Sequence, residues 1–108
     1  MKIIRTKPYL KAVKRIGITN ETEAKLFSEL IDNPEKGDLI MGSGGVRKIR
    51  IQLGNRGKSK GARVIYAYFS IRNHIYLFTA YAKNEKANLT RAEVNQLKEL
   101  VELIKKEM

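Results

Sequence analysis

Val46-Arg47-Lys48-Ile49-Arg50-Ile51-Gln52-Leu53 alternates along its length: Ile49, Ile51 and Leu53 point one way, Lys48, Arg50 and Gln52 the other. A period of two is the pattern of a strand with one buried and one wet face. Two more extended segments follow, Arg63–Phe69 and Ile75–Ala82. Both are rich in the β-branched and aromatic residues that suit a pleated surface. Arg72-Asn73-His74 reads as the tight turn between them, and Gly54–Gly61 as a basic loop joining the first strand to the second. The three segments predict an antiparallel meander.

Outward from the meander the periodicity becomes helical. Lys2–Thr6 predicts a short first strand. Pro8 suits a first helical position, and Tyr9, Leu10, Val13 and Ile16 form an apolar stripe that ends at Gly17. A second helix is expected from Thr19 or Asn20. Asn20 and Glu23 have capping-box spacing, and Ala24, Phe27, Leu30 and Ile31 recur on one side. Asn33-Pro34 stops it, because a residue before proline is pushed out of the α region. Thr90 and Glu93 form another capping box. Val94, Leu97, Val101 and Ile104, with Leu100 beside them, then make the inner face of a last helix. The expected order is strand, two helices, three-stranded meander, helix: one α+β domain over residues 1–108.

Charge adds a second pattern. The net charge is +11, and no Asp or Glu falls between Leu39 and Asn84, a window that holds nine of the twenty-two Lys and Arg. A surface shaped only for solubility mixes signs; a one-sign block over β-prone sequence is suited to a polyanion. Nucleic acid is the expected partner. Anionic membrane fits less well, since no segment joins a wide apolar face to an all-basic one and no apolar run is long enough to span a bilayer. The N-terminal run MKIIRTKPYLKAVKR lacks the apolar middle of a signal peptide, and a cytoplasmic setting is expected. The absence of Cys excludes disulfides, thiolate nucleophiles and Cys-based zinc sites.

Among groups able to carry chemistry, Lys48 and Arg50 share a strand face about 7 Å apart. Lys58, Lys60 and Arg63 arrive on the neighbouring strand and make a patch of what would otherwise be a solvated face. Gly42-Ser43-Gly44-Gly45 offers a backbone phosphate cradle or, more commonly for such a run, a turn before an edge strand. His74 is the only histidine and falls in a turn. Metal-dependent nuclease chemistry needs clustered carboxylates, and Glu85 is the one acid close to the basic block on its C-terminal side. No metal site or cofactor is expected. From residues alone, a binder and an enzyme both remain open.

The strings Gly42-Ser43-Gly44-Gly45-Val46-Arg47-Lys48-Ile49-Arg50, Gly61-Ala62-Arg63-Val64-Ile65-Tyr66-Ala67-Tyr68 and Tyr81-Ala82-Lys83-Asn84-Glu85-Lys86, with Leu89-Thr90 beyond, add a resemblance. Together they resemble the RelE/HigB-type toxins of bacterial type II toxin–antitoxin systems, over essentially the whole chain. The resemblance implies the RelE-like fold and a metal-independent, ribosome-dependent mRNA endonuclease, in which the RNA's own 2′-hydroxyl attacks the adjacent phosphate in the ribosomal A site. It also implies a cognate antitoxin as partner.

Carried over by position, Lys48 is a proton-transfer group, and Arg50 and Arg63 are phosphate and transition-state clamps. Where RelE reads Lys-Arg-Glu-Arg, this chain has Lys83-Asn84-Glu85-Lys86, and no Tyr stands near Thr90 to match the family's late tyrosine. This resembles the HigB-like branch. It makes Tyr81, Lys83 and Glu85, expected on one face of an extended strand, the substitutes. Arg47, Arg56, Lys58, Lys60 and Lys86 complete the expected RNA contacts. Two rivals stand beside this reading: a ParE-like toxin directed at gyrase, which shares the fold, and a non-catalytic RNA- or ribosome-binding domain.

Overall fold

The three segments read as a meander do form one, and two further strands widen it. The computed structural model describes residues 1–53 and 61–108. Its elements are β1 (Lys2–Arg5), α1 (Lys7–Ile16), α2 (Asn20–Asp32), β2 (Asp38–Leu39), β3 (Val46–Ile51), β4 (Ala62–Phe69), β5 (His74–Ala82) and α3 (Arg91–Lys106). They build one five-stranded sheet in the order β1-β5-β4-β3-β2. β1 runs parallel to β5, and the other neighbours are antiparallel. β2 was not anticipated. Two residues give alternation no length over which to register, and it exists by pairing with Arg47 and Lys48.

Each face of the sheet carries its own core. On the first face Ile49, Ile51, Val64, Tyr66 and Leu77 meet Tyr9 and Ala12 of α1 and Leu26 and Leu30 of α2. On the second, Val46, Ile65, Ala67, Phe69 and Phe78 pack with Val101 of α3. The wet face expected for β3 is therefore covered at its Val46 end and open only near Arg50, which is exposed.

Local chemistry sets the helix positions. Thr19, rather than Asn20, caps α2, its hydroxyl accepting from the Thr22 N–H at 3.2 Å. Glu23 is consequently not part of a capping box. It is buried, accepts from the Tyr9 hydroxyl at 2.7 Å and pairs with Arg5 at 3.3 Å, tying β1, α1 and α2 together. Burial is the main reason the Tyr9 phenol is raised far above its ordinary value, so it stays a donor to Glu23. This contact rotates α2: Glu23, Leu26 and Leu30 face inward, while Ile31 of the expected stripe is 56% exposed.

The link from α2 to β3 is pinned from the sheet. The buried Tyr66 hydroxyl donates to the Pro34 carbonyl and accepts from the Gly37 N–H, both at 2.9 Å. A Cβ at Gly37 would lie 2.8 Å from the Lys48 carbonyl oxygen and from the Tyr66 ring, so only glycine permits this approach. Gly42–Gly45 is the turn between β2 and β3. It closes on the buried Ser43 hydroxyl, which donates to the Ile40 carbonyl at 2.6 Å and accepts from the Val46 N–H at 3.0 Å.

β5 departs from simple alternation. Ile65 lies opposite Thr79, but Tyr66 lies opposite Leu77, so Phe78 is an extra residue in a β-bulge. Thr6 braces it: its hydroxyl donates to the Leu77 and Phe78 carbonyls at 2.8 and 3.0 Å, and its N–H bonds Leu77 at 3.2 Å. The same Thr6 is the N-cap of α1, accepting from the Tyr9 N–H at 3.4 Å.

Two outcomes are expected. Thr6→Val keeps the shape but removes cap and brace together, and should lower unfolding stability by about 1–2 kcal/mol; an unchanged urea midpoint would show that the bulge supports itself. The second concerns Glu85, whose carboxyl is held below its ordinary 4.5 by the Arg15 guanidinium and then by the Ala82 N–H. Its contribution is present above pH 4.5 and is lost as pH falls through the lowered value. The melting-temperature gap between wild type and Glu85→Gln should thus be open at neutral pH and close in acid, and a gap independent of pH would contradict the assignment.

Candidate functional site

Register brings the candidate residues into one row. Arg50 of β3 lies directly opposite Arg63 of β4, and Arg63 directly opposite Tyr81 of β5. Opposed side chains on adjacent strands start with their Cβ atoms about 5 Å apart. Lys48, two residues before Arg50 and on the same face, lies opposite Ile65 of the second core. The row continues the α3-covered face at the end where cover stops. Like charges set directly opposite destabilise a sheet, yet here two arginines occupy such a pair. Among the described residues, five acids form ion pairs, with Arg5, Arg15, Lys36, Arg47 and Lys86. None pairs with Lys48, Arg50 or Arg63.

The bulge is what places Tyr81 in this row. Ile75 and Leu77 belong to the first core, and an unbroken alternation from them would send Tyr81 to the same side. The extra residue at Phe78 reverses the phase, so Ala80 faces the first core and Tyr81 the second, beside Arg63. Tyr81 is only 3% exposed. Burial pushes its phenol above the ordinary value of 10.0, against the opposing pull of Arg63 and Lys86. At neutral pH it is protonated and able to donate.

Lys86 closes the end of the row, its Nζ lying 5.7 Å from the centre of the Tyr81 ring, within cation–π range. It is held there by Glu93, 2.6 Å away. Glu93 in turn forms the observed capping box of α3: it accepts from the Thr90 N–H at 2.8 Å, and its own N–H donates to the Thr90 hydroxyl at 3.1 Å. Lys86, and secondarily the Thr90 N–H, keep the Glu93 carboxyl below 4.5 and so ionised. Glu93 was legible in the sequence as a cap, but its grip on Lys86 was not.

Of the other expected residues, Arg47 and Glu85 lie elsewhere, while Lys83 stays near the row. Arg47 projects from the opposite side of β3, only 17% of its side chain exposed. Its guanidinium donates to the Gly37 and Glu35 carbonyls at 2.8 and 3.0 Å and pairs with the Glu35 carboxylate, so it fastens the α2–β3 link. Tyr81, Lys83 and Glu85 do not share a strand face, because β5 ends at Ala82 and the chain turns. Glu85 folds back to accept from the Ala82 N–H at 2.8 Å and from Arg15 of α1 at 2.8 Å, next to the first core. Lys83 lines a groove of about 560 Å³ between α2 and β3, and Lys48, Arg50 and Arg63 line the same groove with Lys25 and Glu29 of α2. Arg56, Lys58 and Lys60 lie outside the described residues. His74 opens β5 at the far end from Tyr81, opposite Phe69 and Lys2.

The row thus offers two guanidiniums, two ammoniums and a neutral phenol around one patch of sheet, a donor set that matches a phosphodiester. Among the described residues, no three His, Asp or Glu side chains gather where they could hold a metal ion.

The fold is similar to that of a doubly substituted form of the E. coli toxin RelE in the free state, with a TM-score of 0.56, 13% sequence identity, and 88% of this chain and 94% of that chain covered. It is also similar to the solution structure of the conserved hypothetical protein HP0892 from Helicobacter pylori, with a TM-score of 0.51, 17% identity, and 79% and 97% covered. A family model described as the RelE toxin of the RelE/RelB toxin–antitoxin system matches residues 1–107. With that match across nearly its full length, the chain belongs to the RelE toxin family.

Proposed function

We propose that this protein is a toxin that arrests translation by cutting mRNA in the ribosomal A site, without a metal ion. The observation that carries the reading is the unpaired Arg50–Arg63 opposition beside the buried Tyr81. A sheet tolerates such a pair when its use requires concentrated positive charge at one point. The arginines straddle the phosphate and stabilise the extra negative charge of the five-coordinate phosphorus as the 2′-oxygen bonds to it. The bond to the 5′-oxygen then breaks, leaving a 2′,3′-cyclic phosphate and a free 5′-hydroxyl. One proton leaves the attacking hydroxyl and one reaches the departing oxygen. Lys48 relays the first, and Tyr81, protonated at neutral pH, serves as donor for the second. Lys86 holds the Tyr81 ring in place and adds positive charge nearby.

The antitoxin that family membership implies would seat on this same basic face, where a net charge of +11 favours fast association with an acidic partner.

The test is induced expression followed by mapping of message 5′ ends. Wild type should cut translated regions only. Arg63→Ala and Lys48→Ala should each reduce cutting by about 100-fold or more while keeping the far-ultraviolet circular dichroism of the parent. Arg47→Ala should instead lower the melting temperature and leave the folded protein able to cut. Growth arrest without cuts would overturn the nuclease reading in favour of another target such as gyrase, and full cutting by both site variants would overturn the residue assignment.

A further inference from the structure

One carboxylate stands close to a row that otherwise excludes acids. Of the five acids in ion pairs among the described residues, four hold cations outside the row, namely Arg5, Arg15, Lys36 and Arg47. The fifth, Glu93, holds Lys86 beside Tyr81. Capping α3 does not account for this grip. The cap uses one carboxylate oxygen, Oε1, which accepts from the Thr90 N–H, together with the Glu93 N–H. The other oxygen, Oε2, takes the Lys86 ammonium at 2.6 Å. Glutamine satisfies a capping box as glutamate does. With its oxygen engaged in the cap, however, it would turn an amide NH₂ toward Lys86, and two donors cannot bond. Only a carboxylate does both.

Lys86 needs such a hold. It follows the end of β5, where the chain turns, and its four-carbon stem is flexible. Lys48, Arg50 and Arg63 repel a further cation, so an untied Lys86 would extend into water. Tied to the first turn of α3, its Nζ stays 5.7 Å from the centre of the Tyr81 ring. Tyr81 is 3% exposed and packed in the second core, so a phenolate formed there has little water to stabilise it. A cation at the ring supplies what water does not. Lys86 acts on the phenol more strongly than Glu93 does in the opposite sense.

We infer that Glu93 is a positioning residue for message cutting: it holds the Lys86 ammonium beside Tyr81, where the cation stabilises the phenolate formed as the Tyr81 O–H bond breaks and its proton passes to the departing 5′-oxygen. Water returns a proton to Tyr81 after the cut. This role rests on Tyr81 being the proton donor proposed for the reaction. Glu93 itself touches neither the message nor the reacting atoms.

The experiment measures single-turnover cutting of a message on purified translating ribosomes at varied toxin concentration. It compares the full chain with Glu93→Gln, Lys86→Met and the two combined. Glutamine keeps the cap, and an ion pair between partly exposed side chains contributes little stability, so Glu93→Gln should melt close to the parent. Its maximal cutting rate should fall about tenfold or more, with the half-saturating concentration nearly unchanged. In the Lys86→Met background the same substitution should cause no further loss. By NMR, the ε-methylene protons of Lys86 should be shifted upfield by the Tyr81 ring in the parent and return to the position of exposed lysines in Glu93→Gln. Cutting by Glu93→Gln at the parent rate would overturn the inference. So would an equal loss in the Lys86→Met background, which makes Glu93 independent of Lys86, or a loss confined to the half-saturating concentration, which makes the pair an RNA contact only. An unshifted Lys86 in the parent would likewise overturn it. A parent that cuts no message overturns the nuclease reading and this role together, whereas a parent that cuts beside an unaffected Glu93→Gln overturns this role alone.

Discussion

Burial of β4 on both faces is the constraint from which the remaining geometry follows. Val64 and Tyr66 enter one core, Ile65 and Ala67 the other, and all four are essentially inaccessible to water. A slip of one residue would exchange the two sets and push Arg63 into the α1 and α2 side. The register is therefore strongly specified, and with it the positions of β3 and β5. Arg50 reaches Arg63 because Ile49 and Ile51 must meet the first core, and Tyr81 reaches Arg63 because the bulge at Phe78 reverses the phase of β5. Thr6 couples that bulge to the start of α1, so the strand irregularity and the helix position are one feature. The row is thus held by apolar packing that it does not itself touch.

Much of this was legible in sequence, and what was not has identifiable physical causes. The meander stood out because the period-two pattern of residues 46–53 has few competing explanations, and α3 because Thr90 and Glu93 mark its start. The bulge left no trace: Ile75–Ala82 is almost uniformly apolar, so its two faces cannot be told apart by alternation. The inner face of α2 is obscured in sequence because a buried carboxylate, Glu23, occupies a core position and hides the spacing of Leu26 and Leu30. Arg47 shares its charge with Lys48 and Arg50, but the alternation that identifies the strand sets it on the opposite side. Glu85 lies three residues past the end of β5, where strand alternation no longer sets the direction of a side chain. Charge composition marks the molecule as basic; only register separates cations that fasten the fold from cations left free.

Three arginines show the fastening role. Where arginine supports structure, it is matched: Arg5 by Glu23, Arg15 by Glu85, Arg47 by Glu35 and backbone carbonyls. Lys48, Arg50 and Arg63 form no ion pair, and neither, among the described residues, do scattered surface cations such as Lys25, Arg72 and Arg91. Surface ion pairs contribute little stability individually, so their absence at these places costs little directly. The repulsion between unmatched neighbours does act against the fold, and the two-sided core has to offset it. A protein of this size with a net charge of +11 carries that strain at every ionic strength below the point where salt screens it.

α3 joins the two kinds of charge. Val101 is its single fully buried residue, with Val94, Leu97 and Ile104 only partly covered, so its hold on the sheet is modest beside that of α1 and α2. Its first turn does more than cap. Glu93 satisfies the Thr90 N–H with one carboxylate oxygen and grips Lys86 with the other, and Lys86 stands over the ring of Tyr81. A rotation of the helix start would therefore shift the cation next to the phenol, and with it the balance between the burial that raises the Tyr81 pKa and the positive charge that lowers it. Burial dominates the raised pKa of Tyr81, and Lys86 and Glu93 act on it as smaller influences of opposite sign, which makes the start of α3 part of the electrostatics of the site although none of its side chains belongs to the row.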